Sequence, residues 1–227
     1  MQRNLNFAPG EYYHIYNRGN EKQKIFKDKT DYNRFILLLY YANSVEPVHL
    51  QSVKKDLKIF HGQSLKKMNE RGETLVDIGA WCLMPNHFHI LVKEKVDGGI
   101  SRFLLKLATG YSMYFNKRYD RVGSLLQGAF KAEHLDRDNY LKYLFSYIHL
   151  NPVKLFQSDW KEKGIKDSKK ATDFLKIYSY SSYLDYLTDN RGYRFILNKK
   201  SFPQYFEGVK DFNKEIFDWV TLKDGDI

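Results

Sequence analysis

The sequence predicts an α+β domain built on an antiparallel sheet, followed by a mainly helical extension. Three observations carry that expectation. Four short segments read as strands, the first of them, Tyr12 to Tyr16, aromatic and β-branched. Three longer segments carry apolar residues at helical spacing. They follow one another as strand, helix, strand, strand, helix, strand, helix.

Tyr12 to Tyr16 reads as the first strand, closed by the turn residues Asn17-Arg18-Gly19-Asn20. Lys29 to Asn43 reads as a helix, with Asp28 or Thr30 as its cap and Tyr32, Phe35, Ile36 and Leu39 on its apolar stripe. Residues 47–74 are polar, charged and weakly periodic, which predicts a charged insertion rather than a linker between independent domains. Val76 to Leu83 and His87 to Lys93 read as two strands of a hairpin turning at Met84-Pro85-Asn86.

Ser101 to Arg118 is an amphipathic helix, with Ile100, Phe103, Leu104, Leu107, Tyr111, Tyr114 and Phe115 at helical spacing. Its end and the following loop are basic through Lys117, Arg118 and Arg121. Gln127 to Leu135 reads as the fourth strand and carries Lys131. Asp136 or Asp138 would cap a helix running to about Leu150, ended by Pro152 because the residue before a proline is pushed away from helical geometry. Leu141, Leu144, Phe145 and Ile148 form its core stripe, beside a second stripe of Tyr140, Tyr143, Tyr147 and Asn151.

The first six elements, β-α-β-β-α-β, make the split βαβ or ferredoxin-like arrangement, in which helices cover one face of the sheet. The predicted organisation is a domain over residues 1–154 with the insertion at 47–74, and an extension over 155–227 packed on it as short helices.

Composition narrows the setting. The 227 residues, 43% of them hydrophobic, can bury a sizeable core. The 37 Lys and Arg against 27 Asp and Glu leave a net charge of +10, which favours a polyanionic partner, nucleic acid before an anionic membrane surface. Cys82 is the sole cysteine, so no intrachain disulfide forms, in keeping with a reducing compartment. No apolar segment follows the N-terminal Met1-Gln2-Arg3-Asn4, and the longest apolar run, Phe35 to Ala42, is too short to cross a membrane. The expectation is a cytoplasmic protein with no membrane partner.

The chemistry centres on His87 and His89. On a strand, residues two apart point to one face. Two imidazoles side by side are either half of a metal site or a pair of hydrogen-bonded histidines. The helix after the fourth strand offers more: Tyr147 and Asn151, four apart, share a face. Brought against the histidines, they would give two nitrogens, an amide oxygen and a hydroxyl. Oxygen in an open site suits Mg²⁺ or Mn²⁺, whereas two histidines alone would prefer Zn²⁺ or Ni²⁺. A basic protein with such a site would act on a phosphodiester, with a tyrosine as nucleophile. Spacing alone does not select Tyr147 among the 18 tyrosines; Tyr111, Tyr114 and Tyr143 are rivals.

A resemblance adds to this. Met84-Pro85-Asn86-His87-Phe88-His89-Ile90-Leu91-Val92 looks like the His-hydrophobic-His motif of HUH endonucleases. Tyr147-Ile148-His149-Leu150-Asn151-Pro152-Val153-Lys154 resembles the tyrosine helix of single-tyrosine transposases, most of all the REP-associated branch. Tyr13 to Gly19, Gln127 to Lys131 and Tyr178 to Tyr183 are similar to further segments of that family. The resemblance implies an HUH domain acting in DNA transposition. His87, His89 and Asn151 would hold Mg²⁺ or Mn²⁺, and Tyr147 would be the nucleophile that forms a 5′-phosphotyrosine link to single-stranded DNA. It implies hairpin or palindromic repeat DNA as partner. Asn17, Arg18 and Lys131 are assigned to DNA contact with it, beside the basic Lys117, Arg118 and Arg121, although Asn17 could equally serve its turn. Family members act as monomers or homodimers, and both states stay open. So do two other readings: a non-catalytic, domesticated hairpin-binding protein on the same fold, and a phosphodiesterase using metal-bound water.

Overall fold

The computed structural model describes residues 6–47, 71–188, 191–205 and 208–218. The core of the anticipated insertion, residues 48–70, lies outside the described residues. The elements are β1 (Tyr12–Arg18), α1 (Lys29–Tyr41), β2 (Val76–Met84), β3 (His87–Glu94), α2 (Gly99–Arg118), β4 (Lys131–His134) and α3 (Asp138–Leu150). Shorter helices follow: α4 (Trp160–Lys163), α5 (Ser168–Ile177), α6 (Tyr183–Leu187) and α7 (Val209–Asp218). The four strands form one antiparallel sheet in the order β2-β3-β1-β4, the ferredoxin-like split βαβ arrangement.

Alternation along the strands divides two cores. Ile15, Phe88, Ile90 and Val92 point to the face covered by α1 and α2. Cys82, Met84 and Leu91 point to the opposite face, which α3 and the C-terminal helices cover. The sheet is therefore covered on both faces, not on one as the element order suggested. The reason is α3 itself: Leu141, Leu144, Phe145 and Ile148 are a second apolar stripe that needs a sheet face of its own. A bulge at Gly79 keeps β2 in step with both cores. Ile78 pairs with Val92 and Ala80 with Leu91, so Gly79 is the extra residue. A Cβ there would lie 2.7 Å from the Phe202 ring, which is why glycine fits.

Several boundaries differ from expectation. β1 runs on through Asn17 and Arg18, which pair with Phe88 and His87, so the anticipated turn starts two residues later. β4 begins only at Lys131, because Gly128 sits in the left-handed region at φ +63 and breaks the run. Asp28 caps α1 through its side chain, as predicted. Neither Asp136 nor Asp138 caps α3: Arg137 holds the N-cap, and Asp138 instead pairs with Lys142 at 2.8 Å. Asn151, before Pro152, keeps helical angles (φ −53, ψ −37), and the chain tightens into a 3₁₀ turn over Asn151–Leu155 instead of unwinding.

The C-terminal segment also closes the exposed edge of β2. Leu83 N–H donates to Tyr180 O and Ser182 N–H to Trp81 O, both at 2.9 Å, and Asn198 N–H to Ile78 O at 2.9 Å. Among the described residues no helix is long and apolar enough to cross a membrane.

Candidate active site

The site forms where α3 packs on β2 and β3. His87 and His89 stand on one face of β3, and the register sets Arg18 opposite His87 and Tyr16 opposite His89. Because Asn151 stays helical, it and Tyr147 face these histidines together. The Tyr147 ring meets His89 edge-on, with centroids 5.4 Å apart. Asn151 Oδ1 lies 3.3 Å from His87 Nε2. The four side chains anticipated from sequence are thus brought together within one chain.

Hydrogen bonds settle which nitrogen of each histidine faces the cleft. Asn86 Nδ2 donates to Lys22 O at 3.2 Å, which turns its Oδ1 toward His87 Nδ1 at 2.7 Å. That oxygen can only accept, so Nδ1 carries the proton and Nε2 is a lone pair. Nε2 and Asn151 Oδ1 then face each other as two acceptors. His89 Nδ1 lies 2.8 Å from His14 Nε2, and His14 Nδ1 lies 3.5 Å from Glu133 Oε2. Burial pushes His87 down to about 4 and His89 well below the ordinary imidazole value, so both rings are neutral.

Among the described residues no group of three His, Cys, Asp or Glu side chains is placed to hold a metal ion. A donor set of two neutral imidazoles and an amide oxygen nevertheless fits a divalent cation. Two lone pairs aimed at one another, as at His87 and Asn151, are the arrangement that a cation between them would satisfy.

Tyr147 is held on several sides. Tyr143 lies parallel to it at 6.2 Å, Trp160 of α4 packs at 6.1 Å, and Lys161 Nζ sits 5.4 Å from its ring centre. Burial raises its hydroxyl above the ordinary tyrosine value, while Lys161 and a hydrogen bond with Asn151 pull it back down.

The cleft around these groups has a volume of about 660 Å³. Arg18, Lys22, Lys24, Lys131 and Lys154 line it, and no acidic side chain does so among the described residues. Of the anticipated DNA contacts, Asn17, Arg18 and Lys131 are therefore at the cleft. Asn17 also ties the local chain, donating to Gly128 O at 3.3 Å and accepting from Arg18 N–H at 2.8 Å. Arg18 Nε donates to Gln127. Lys117, Arg118 and Arg121 are not among the residues that line it. Arg118 instead bonds Asp28 at 2.6 Å and Asp31 at 2.8 Å, joining the end of α2 to the start of α1, and Arg121 bonds Asn116 at 3.4 Å.

Sequence reasoning passed over Lys22, Lys24, Lys154, Lys161, His14 and Glu133. Lys154 stood in the Asn151-Pro152-Val153-Lys154 segment and His14 on a strand alternating with Tyr16; their proximity to the site depends on register and helix placement.

Comparison with known proteins gives a family and a similar fold. The family model described as "Transposase IS200 like" matches residues 9–151, from just before β1 to Asn151. A solved structure of a REP-associated tyrosine transposase bound to a REP hairpin is similar in fold, with a TM-score of 0.50 at 13% identity, covering 82% of this chain and 84% of that one. No curated protein matches the chain.

Proposed function

The chain belongs to the IS200-like transposase family, and from that premise we propose that it is a metal-dependent single-stranded DNA endonuclease and strand transferase using Tyr147 as nucleophile. The observation that carries the proposal is the convergence of Tyr147, His87 and His89 in one basic cleft, with Asn151 against His87, inside the matched region.

Arg18, Lys22, Lys24, Lys131 and Lys154 would draw in a DNA strand by its phosphates. Hairpin DNA is the partner we favour, since the similar structure holds a REP hairpin. Tyr147 Oη bonds to phosphorus as the phosphorus–O3′ bond breaks. The tyrosine gives up its proton, the departing 3′-oxygen gains one, and the 5′-phosphate remains on Tyr147. Attack on that linkage by the 3′-hydroxyl of another strand end reverses the step and joins new partners. A free tyrosine ionises at about 10, and burial makes this one harder to ionise. Lys161 is the chain's own cation beside the ring, and it favours the phenolate. His87, His89 and Asn151 would hold Mg²⁺ or Mn²⁺, which when bound polarises the scissile phosphate and offsets its developing charge.

The test uses hairpin oligonucleotides labelled at the 3′ end, because that fragment would stay on the protein. Incubated with Mg²⁺ or Mn²⁺, wild type should yield a labelled band at protein size on a denaturing gel, absent with chelator and in Tyr147→Phe. Across a library of hairpins, tight binding without any such band would instead support the non-catalytic hairpin-binding reading.

A further inference from the structure

We propose that His14 and Glu133 are positioning residues for the site: they fix His89 in the tautomer whose Nε2 lone pair faces the cleft. The inference rests on the reading of His89 as a ligand, but its geometry stands apart from any reaction. His14 is 4% exposed and lies on β1, diagonally across from His89 on β3. Its Nε2 is 2.8 Å from His89 Nδ1, with the rings nearly parallel at 16°. Its Nδ1 faces Glu133 Oε2 of β4 at 3.5 Å. Glu133 is anchored in turn by hydroxyls of Tyr16 and Tyr140, each donating at 2.9 Å.

Proton counting along this chain has one solution. A carboxylate only accepts, so His14 Nδ1 must carry the hydrogen. A neutral imidazole carries one ring hydrogen, so His14 has none left for its other nitrogen. Its Nε2 is therefore an acceptor, His89 Nδ1 must donate to it, and His89 Nε2 is left bare. His87 reaches the same state by a separate route through Asn86 and the Lys22 carbonyl. The two imidazoles are thus set independently, one from the β2–β3 turn and one from across the sheet. Fixing a ligand's far nitrogen holds ring orientation and raises its basicity. Glu133 is the only acid in the chain Glu133–His14–His89. Its hydrogen bond to His14 is the first cause holding it down to about 2, so it stays a carboxylate.

The experiment uses the full chain, free of metal and DNA, with ¹⁵N-labelled histidine, read by long-range proton–nitrogen correlation. In wild type, His14 and His89 should both report Nδ1–H with unprotonated Nε2. Glu133→Ala should move both toward a mixture of tautomers, and Glu133→Gln, which keeps an accepting oxygen, should restore them. His149, bonded to Phe145 O and Ser182 Oγ, serves as the folding control and should not change. Mn²⁺ titration should then show affinity lowered roughly ten- to hundredfold in Glu133→Ala and largely regained in Glu133→Gln. Unchanged tautomers of His14 and His89 in Glu133→Ala, with His149 intact, would overturn the inference. So would Mn²⁺ affinity equal to wild type in that variant. A wild type that binds no Mn²⁺ or forms no adduct would count against the catalytic proposal, while the tautomer spectra would still decide this one.

Discussion

Removing the Ser182 hydroxyl should loosen the helix that carries Tyr147. Ser182 Oγ accepts the Trp81 backbone N–H of edge strand β2 at 2.9 Å. It also lies 2.8 Å from His149 Nε2. His149 Nδ1 donates to Phe145 O at 2.9 Å, so Nε2 is the acceptor and Ser182 the donor. One hydroxyl therefore joins α3, the sheet edge and the C-terminal segment, with Trp81, His149 and Ser182 all at 0% exposure. Ser182→Ala strands two buried groups, each costing ~1–3 kcal/mol. The sum, reduced for relaxation, is about 3 kcal/mol. The comparison is Ser146, also 0% exposed and on α3, whose Oγ has no hydrogen-bond partner among the described residues. Ser146→Ala removes an unsatisfied polar atom and should cost close to nothing or stabilise. Urea unfolding of both variants reads the difference directly, with unchanged m-values showing that only stability moved. If Ser182→Ala is no less stable than Ser146→Ala, the hydrogen-bond account of how α3 is held is wrong.

Further predictions concern charge and metal. Neutralising Lys154 together with Lys22 should lower single-stranded DNA affinity and reduce the slope of log affinity against log salt by about 0.7 for each phosphate no longer neutralised; binding titrations over a salt series that keep the wild-type slope would remove these residues from the DNA path. His87→Ala should weaken Mn²⁺ binding at least about tenfold, or ~1.4 kcal/mol, as measured by calorimetry; equal affinity would take His87 out of the metal site. Asp185 is 0% exposed, and burial raises its carboxyl to about 7 despite Arg191 at 3.3 Å. The folded state thus holds a proton that the unfolded state releases at about 4, so this group makes stability fall as pH rises from about 4 to about 7. Asp185→Asn should gain on wild type by as much as ~4 kcal/mol across that window, whatever its constant offset; a stability difference that does not change with pH would refute the assignment.

The parts of this molecule that were legible from sequence are those carried by local pattern. The hairpin at Pro85, the helical stripe of α3 and the alternation of His87 with His89 depend on neighbours along the chain, and they appear as expected. Tyr147 and Asn151 needed only a helix that does not break before Pro152, and the 3₁₀ turn meets that need. Pairings set by register were not legible. His14 meets His89 because β1 and β3 pair with Tyr16 opposite His89, and no spacing within either strand specifies that offset. Arg118 has the composition of a phosphate contact, but the fold places Asp28 and Asp31 beside it. The second covered face was missed for a related reason: the apolar stripe of α3 was visible, while the choice of sheet face belongs to the packing.

The central claim is that Tyr147 carries the covalent chemistry. It is tested most directly by digesting the protein–DNA adduct with protease and nuclease and locating the nucleotide by mass spectrometry. The account predicts a nucleotide 5′-phosphate on the peptide containing Tyr147, and on no peptide containing Tyr111, Tyr114 or Tyr143. A nucleotide on any other residue, or cleaved DNA with every peptide unmodified, would contradict it.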